Sequence, residues 1–64
     1  MSFFWYVCDG NVEEYSGQKA NLDNSVIVYA ELPEDALIKV MRYYRGELKC
    51  HEMIYDGETI VVIS

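Results

Sequence analysis

The sequence predicts an α+β fold in which a single helix packs on a four- or five-stranded, mostly antiparallel sheet, with elements in the order β-(β)-β-α-β-β. Three observations predict it. Short stretches rich in β-branched and aromatic residues recur along the chain, each bounded by turn formers. One segment alone, between Pro33 and Gly46, carries a helical period. Asp56-Gly57 lies between two β-prone runs and marks a two-residue hairpin, whose turn needs positive φ at both central positions.

Each element follows from local chemistry. Phe3 to Cys8 reads as a strand, with Phe3, Trp5 and Val7 on one face and Phe4, Tyr6 and Cys8 on the other. Asp9-Gly10-Asn11 turns the chain, and Val12 to Tyr15 returns as a short second strand whose polar positions are Glu13 and Glu14. Ser16 to Asn24 is rich in turn formers without an apolar period, so it forms a loop with Leu22 as its anchor. Ser25 to Glu31 is a strand whose apolar run suggests cover on both faces.

The helix opens at Pro33, where a missing amide and a fixed φ do no harm, and Glu34 and Asp35 complement the positive end of its dipole. Arg42 and Arg45 suit its last turn, and Gly46 closes it. Ala36, Leu37, Val40, Met41 and Tyr44 form the expected inward stripe, with Asp35, Lys39, Arg42 and Arg45 facing water. Glu47 to Tyr55 and Glu58 to Ile63 make the last hairpin, with Tyr55 opposite Glu58 and Cys50 opposite Ile63. The helical connection is long enough to cross between parallel strands at Ser25 to Glu31 and Glu47 to Tyr55. Ile60 to Ile63 is apolar on both sides, hence either central in the sheet or an edge awaiting a partner.

Composition bounds the function. A chain of 64 residues is a single domain, 1–64, because at this size only about 60% of the unfolded surface can be buried. With 52% hydrophobic residues, among them six Tyr, two Phe and one Trp, it has ample core material and is not disordered. Eleven Asp and Glu against five Lys and Arg give a net charge of -6, which repels phosphate backbones and disfavours direct nucleic-acid binding. No apolar run approaches the roughly 20 residues of a membrane-spanning helix, and the first residues carry no basic leader. We therefore expect a cytoplasmic protein with no membrane association, its Cys8 and Cys50 reduced and packed as small hydrophobes.

Candidate chemistry fails residue by residue. His51 is the one imidazole, and its neighbour Cys50 points to the opposite face of a strand, so the two cannot act as nucleophile and base. Cys8, Cys50 and His51 lack the paired short spacings of zinc ligands, and Gly10, Gly17, Gly46 and Gly57 are scattered singly instead of forming a phosphate loop. No enzyme activity, cofactor or metal is expected. What remains is a binding surface. Acids gather as Asp9, Glu13 and Glu14 at the first hairpin, as Glu31, Glu34 and Asp35 at the strand-to-helix junction, and as Glu52, Asp56 and Glu58 around the last hairpin. Solubility explains any one group; tyrosines set among them, Tyr15, Tyr43 and Tyr55, would add anchors for docking on a basic protein surface.

Tyr29-Ala30-Glu31, then Asp35-Ala36-Leu37, then Tyr43 or Tyr44 and a new strand after Gly46, resemble the small phage-encoded inhibitors of bacterial RNA polymerase over about residues 26 to 50. The resemblance implies a small phage-type protein for host takeover or anti-defence. In that family, arginines on the strand after the helix help grip the polymerase; here His51 and Met53 stand near those positions, so that contact does not carry over. The expected function is thus an acidic inhibitor that acts as a nucleic-acid mimic. It would occupy the basic surface of a host protein or nucleoprotein complex, such as RNA polymerase or a defence nuclease of the CRISPR type. The alternative is a self-associating or accessory-subunit module, a homodimer paired through the Ile60 to Ile63 edge.

Overall fold

The computed structural model describes residues 3–64. Its elements are β1 (Phe4–Cys8), β2 (Asn11–Glu14), β3 (Ser25–Tyr29), α1 (Pro33–Tyr44), β4 (Cys50–Tyr55) and β5 (Glu58–Ile63). The strands form one five-stranded sheet in the order β2-β1-β3-β5-β4, antiparallel everywhere except between β3 and β5. The α+β class and the mostly antiparallel sheet are as the sequence predicts.

Both hairpins close through Asp-Gly turns of nearly the same shape. Asp9 and Gly10 have φ of 50 and 82, and Asp56 and Gly57 have 51 and 81. Positive φ at both central residues is the type I′ turn, whose twist matches that of the strands it joins. In the last hairpin the register runs from Tyr55 opposite Glu58 to Cys50 opposite Ile63, as predicted.

The crossover differs from expectation. β3 does not pair in parallel with the Glu47 to Tyr55 segment; the chain passes through α1 and β4 before β5 lies beside β3, with Ile27 opposite Val62 and Val28 opposite Ile63. The reason is burial. β5 is apolar on both faces and gains most from an interior position, whereas β4 carries exposed His51 and Glu52 and takes the outside. The same arrangement removes the proposed dimer edge at Ile60 to Ile63, because β5 already pairs on both sides.

Two cores flank the sheet. Under the helix lie Trp5, Val7, Val26, Val28, Ala30, Ala36 and Ile63, with Val40, Tyr43, Leu48 and Cys50 packed around them. The Trp5 indole Nε1 donates a buried 2.8 Å hydrogen bond to the Ala30 carbonyl, so its one polar atom enters the core satisfied. The helix ends as Gly46 predicts. The Glu47 amide bonds the Arg42 carbonyl at 2.9 Å and the Gly46 amide bonds that of Tyr43 at 3.0 Å, which together cap two otherwise unpaired carbonyls.

The inward stripe of the helix is rotated from the expected one. Ala36, Val40 and Tyr43 face the core, while Leu37, Met41 and Tyr44 are exposed. Apolar residues cover more than one face of this helix, and the small Ala36 sets the line of closest approach to the sheet; residues about 100° to one side of it are left outside.

The second core lies on the helix-free face, where Tyr15, Ile27, Ile60 and Val62 are packed with Phe4, Tyr6, Ala20 and Tyr55. The loop of residues 16–24 covers part of it. Asn21 Oδ1 accepts from the Asp23 amide at 2.9 Å and the Asn24 amide at 3.0 Å, an arrangement that puts Leu22 at φ 67 with its side chain outward. Ala20, and not Leu22, is therefore the loop's anchor.

Candidate functional site: an acidic surface and an aromatic cluster

All nine acids grouped by the sequence are exposed. Charged carboxylates stay in water unless paired, and few are paired here. Arg42 and Arg45 both bond Glu47, at 3.2 and 3.1 Å, and no other ion pair occurs among the described residues. Two of the five Lys and Arg are thus spent on one acid. Lys39 is spent on backbone, donating to the Tyr29 carbonyl at 2.8 Å.

The three acidic groups do not converge. Asp9 sits at the β1–β2 turn, whose amide bonds the Asn24 carbonyl just before β3 begins, whereas Glu31, Glu34 and Asp35 follow the far end of β3. A five-residue strand, roughly 17 Å long, separates them. Glu13 and Glu14 lie on the outer strand β2, where Gln18 Nε2 donates to the Glu13 carboxylate at 2.8 Å and to the Glu14 carbonyl at 3.2 Å. Asp56 and Glu58 form the tip of the last hairpin, beside an open cleft of about 340 Å³ that they line with Tyr15 and Tyr55.

The tyrosines expected as anchors are redistributed. Tyr15 is buried, 9% exposed, because its amide continues the ladder to the Phe4 carbonyl at 3.0 Å and the following loop folds over the sheet. Tyr43 is half-buried against the helix-side core. Its hydrogen bond with Cys50, helped by burial, holds the phenol above its ordinary value of 10.0. Tyr55 is half-buried and joins a run of rings on the helix-free face. Tyr15 meets Tyr55 at 5.2 Å between centroids, Tyr55 meets Phe4 at 5.1 Å, Phe4 meets Tyr29 at 5.2 Å and Tyr29 meets Phe3 at 6.0 Å. β5 and β3 lie between β4 and β1 in the sheet, so ring contact across them requires the sheet to curl towards this face.

Sequence reasoning missed the two aromatics at the open end of that run. Tyr29 is 41% exposed and Phe3 40%, and Leu32, at 51%, follows them into the helix. The signal was the period of β3: Tyr29 shares the parity of Ile27 and so the face of Phe4, beyond the reach of the helix. Tyr44 is exposed too, its hydroxyl donating to the Asp23 carbonyl at 3.2 Å; burial, then Asp23 and Asp9, raise its pKa above 10.0.

Comparison with known proteins adds no assignment. No protein family, curated protein or solved structure matches this chain. Among the described residues no helix is long and apolar enough to cross a membrane, and no three His, Cys, Asp or Glu side chains gather as metal ligands would. Cys50 packs on the helix-side core and His51 is exposed, so the two are apart as their strand parity requires.

Proposed function

We propose that this protein is a non-catalytic inhibitor that docks its acidic surface on the basic, nucleic-acid-facing surface of a host enzyme. One observation carries the reading: with both ion pairs ending on Glu47, the acidic excess is left facing solvent and is not consumed within the fold. Such a surface steers towards a basic partner and adds repulsion against polyanions. The patch best suited to grip lies at the junction of β3 and α1. There Tyr29, Phe3 and Leu32 supply exposed apolar area beside Glu31, Glu34 and Asp35, the mixture that makes charged docking sites specific.

The test is affinity capture from bacterial lysate at low and high salt, followed by competition with duplex DNA. A stoichiometric partner should be retained at low salt, released at high salt and displaced by DNA. Replacing Glu31, Glu34 and Asp35 together by Lys should abolish capture with little loss of fold, since exposed charges contribute about 0–1 kcal/mol and the helix dipole about 0.3–1 kcal/mol per acid. A partner held equally in high salt and by the triple variant would sink the proposal.

A further inference from the structure

We propose that two copies of the chain associate through β4, edge to edge and antiparallel about a two-fold axis, to form one sheet continuous across both. The interaction shares no residue with the β3–α1 patch and does not depend on its function.

The backbone groups that would do this can be identified. A type I′ turn makes Tyr55 and Glu58 a hydrogen-bonded pair, so in the register of this hairpin Tyr55, Met53 and His51 spend their N–H and C=O on β5. Those of Cys50, Glu52 and Ile54 point away from the sheet. No loop or side chain among the described residues bonds to them. Few of the devices that natural sheets use to close an edge are present: β4 has no Lys, no Pro and no break in register, its one charged side chain is Glu52, and α1 packs on β1, β2, β3 and β5, reaching β4 through Tyr43 at Cys50, the strand's first residue.

The edge also fits itself. Outward groups at alternate residues allow two-fold pairings centred on His51, Glu52 or Met53. Centring on Glu52 sets two carboxylates directly opposite, which is destabilising, and centring on His51 runs past the start of β4. Centring on Met53 places it against its own copy, lets Glu52 exchange both hydrogen bonds with Ile54 of the second copy, and sets His51 beside Tyr55 of the second copy. That register covers Ile54, at 78% the most exposed large apolar side chain of the described residues, together with Met53 at 38%. Self-complementarity of this kind is the requirement of a two-fold interface. The patch is small, so the association is weak and concentration-dependent.

Sedimentation equilibrium from about 10 μM to about 1 mM, the range suited to an interface below standard size, reads the association directly. Mass should rise from monomer to dimer. Amide exchange at Glu52 and Ile54 should slow tenfold or more across that range, about the protection expected of a mostly paired edge, while His51, Met53 and Tyr55 stay as they are. Ile54→Lys should remain a monomer with an unchanged circular dichroism spectrum, since the side chain it replaces is in water. Two chains of charge -6 repel, so added salt should strengthen this association, the reverse of binding to a basic partner, and the two proposals fail separately. A monomer at the highest concentration, a dimer without protection at the Glu52 and Ile54 amides, or an Ile54→Lys variant that still dimerises would each overturn it.

Discussion

The hairpins β1–β2 and β4–β5 share a turn, a pairing mode and a place at the rim of one sheet, yet their outer strands meet the solvent differently. β2 has four residues, two of them Glu, and Gln18 reaches back to take the outward carbonyl of Glu14. α1 lies over it, and Tyr44 ties the helix end to the Asp23 carbonyl beside the hairpin's turn. β4 has six residues, one of them Glu, no side chain among the described residues bonded to its outward backbone groups, and helix contact through Tyr43 at its first residue, Cys50. An Asp-Gly turn therefore sets register without deciding whether an edge is closed; that depends on the chain that follows. After β2 a loop returns with Gln18, while after β4 the chain goes inward as β5.

The strongest way to break the comparison is to cut the second hairpin's attachment. Ile63 is 1% exposed, packs in the helix-side core and faces both Val28 and Cys50 in the sheet. Ile63→Ala should lose about 2–5 kcal/mol in urea unfolding, against about 0.5 kcal/mol or less for Ile54→Ala on the outer strand. A loss near 1 kcal/mol would mean that the hairpin is fastened elsewhere. Next come the turns themselves. A Cβ on Gly10 or Gly57 meets nothing within 4 Å, so the cost of Ala is backbone strain alone, about 1–2 kcal/mol and equal at both sites. Unequal losses would show that the two turns are not equivalent.

Smaller effects sharpen the difference. Gln18→Ala should cost about 0.5 kcal/mol, because its bonds are exposed, and should speed exchange along β2 while leaving β4 as it was. The smallest concerns pH. The folded chain holds the Tyr44 proton above 10.0, where the unfolded chain releases it, so stability contributed below that value is lost as pH climbs through the folded pKa. Urea midpoints at about pH 9 and pH 11 should differ less in Tyr44→Phe than in the parent, and the loosening should appear at the first hairpin.

Local features were legible in the sequence and distant ones were not. Asp56-Gly57 fixes its register within four residues, and Pro33 and Gly46 mark helix ends through backbone preferences that need no partner. The exposure of the acids was equally readable, since carboxylates without nearby cations have nowhere else to go. The choice of β5 over β4 as neighbour of β3 compares burial of whole strands, which no window of sequence contains. Tyr43 and Tyr44 are adjacent and chemically alike; which one turns inward follows from the line of Ala36 and Val40 against the sheet, which depends on packing between distant elements. Tyr15 is hidden by the loop that follows it, so its neighbours in sequence suggested an anchor that its neighbours in space cover.

The parallel seam between β3 and β5 joins opposite halves of the chain, and this divides folding in time. Each Asp-Gly hairpin closes locally, within about 1–10 μs, whereas the seam waits until α1 has brought the second hairpin across. We expect the seam to limit the rate, so Ile63→Ala and Gly57→Ala should both slow refolding, the second because its turn is already closed when the seam forms. During that wait the apolar strand Glu58–Ile63 has one unpaired side and is the chain's most vulnerable stretch for pairing with the wrong molecule. Refolding yield should therefore fall with protein concentration, even though the finished fold encloses that strand on both sides.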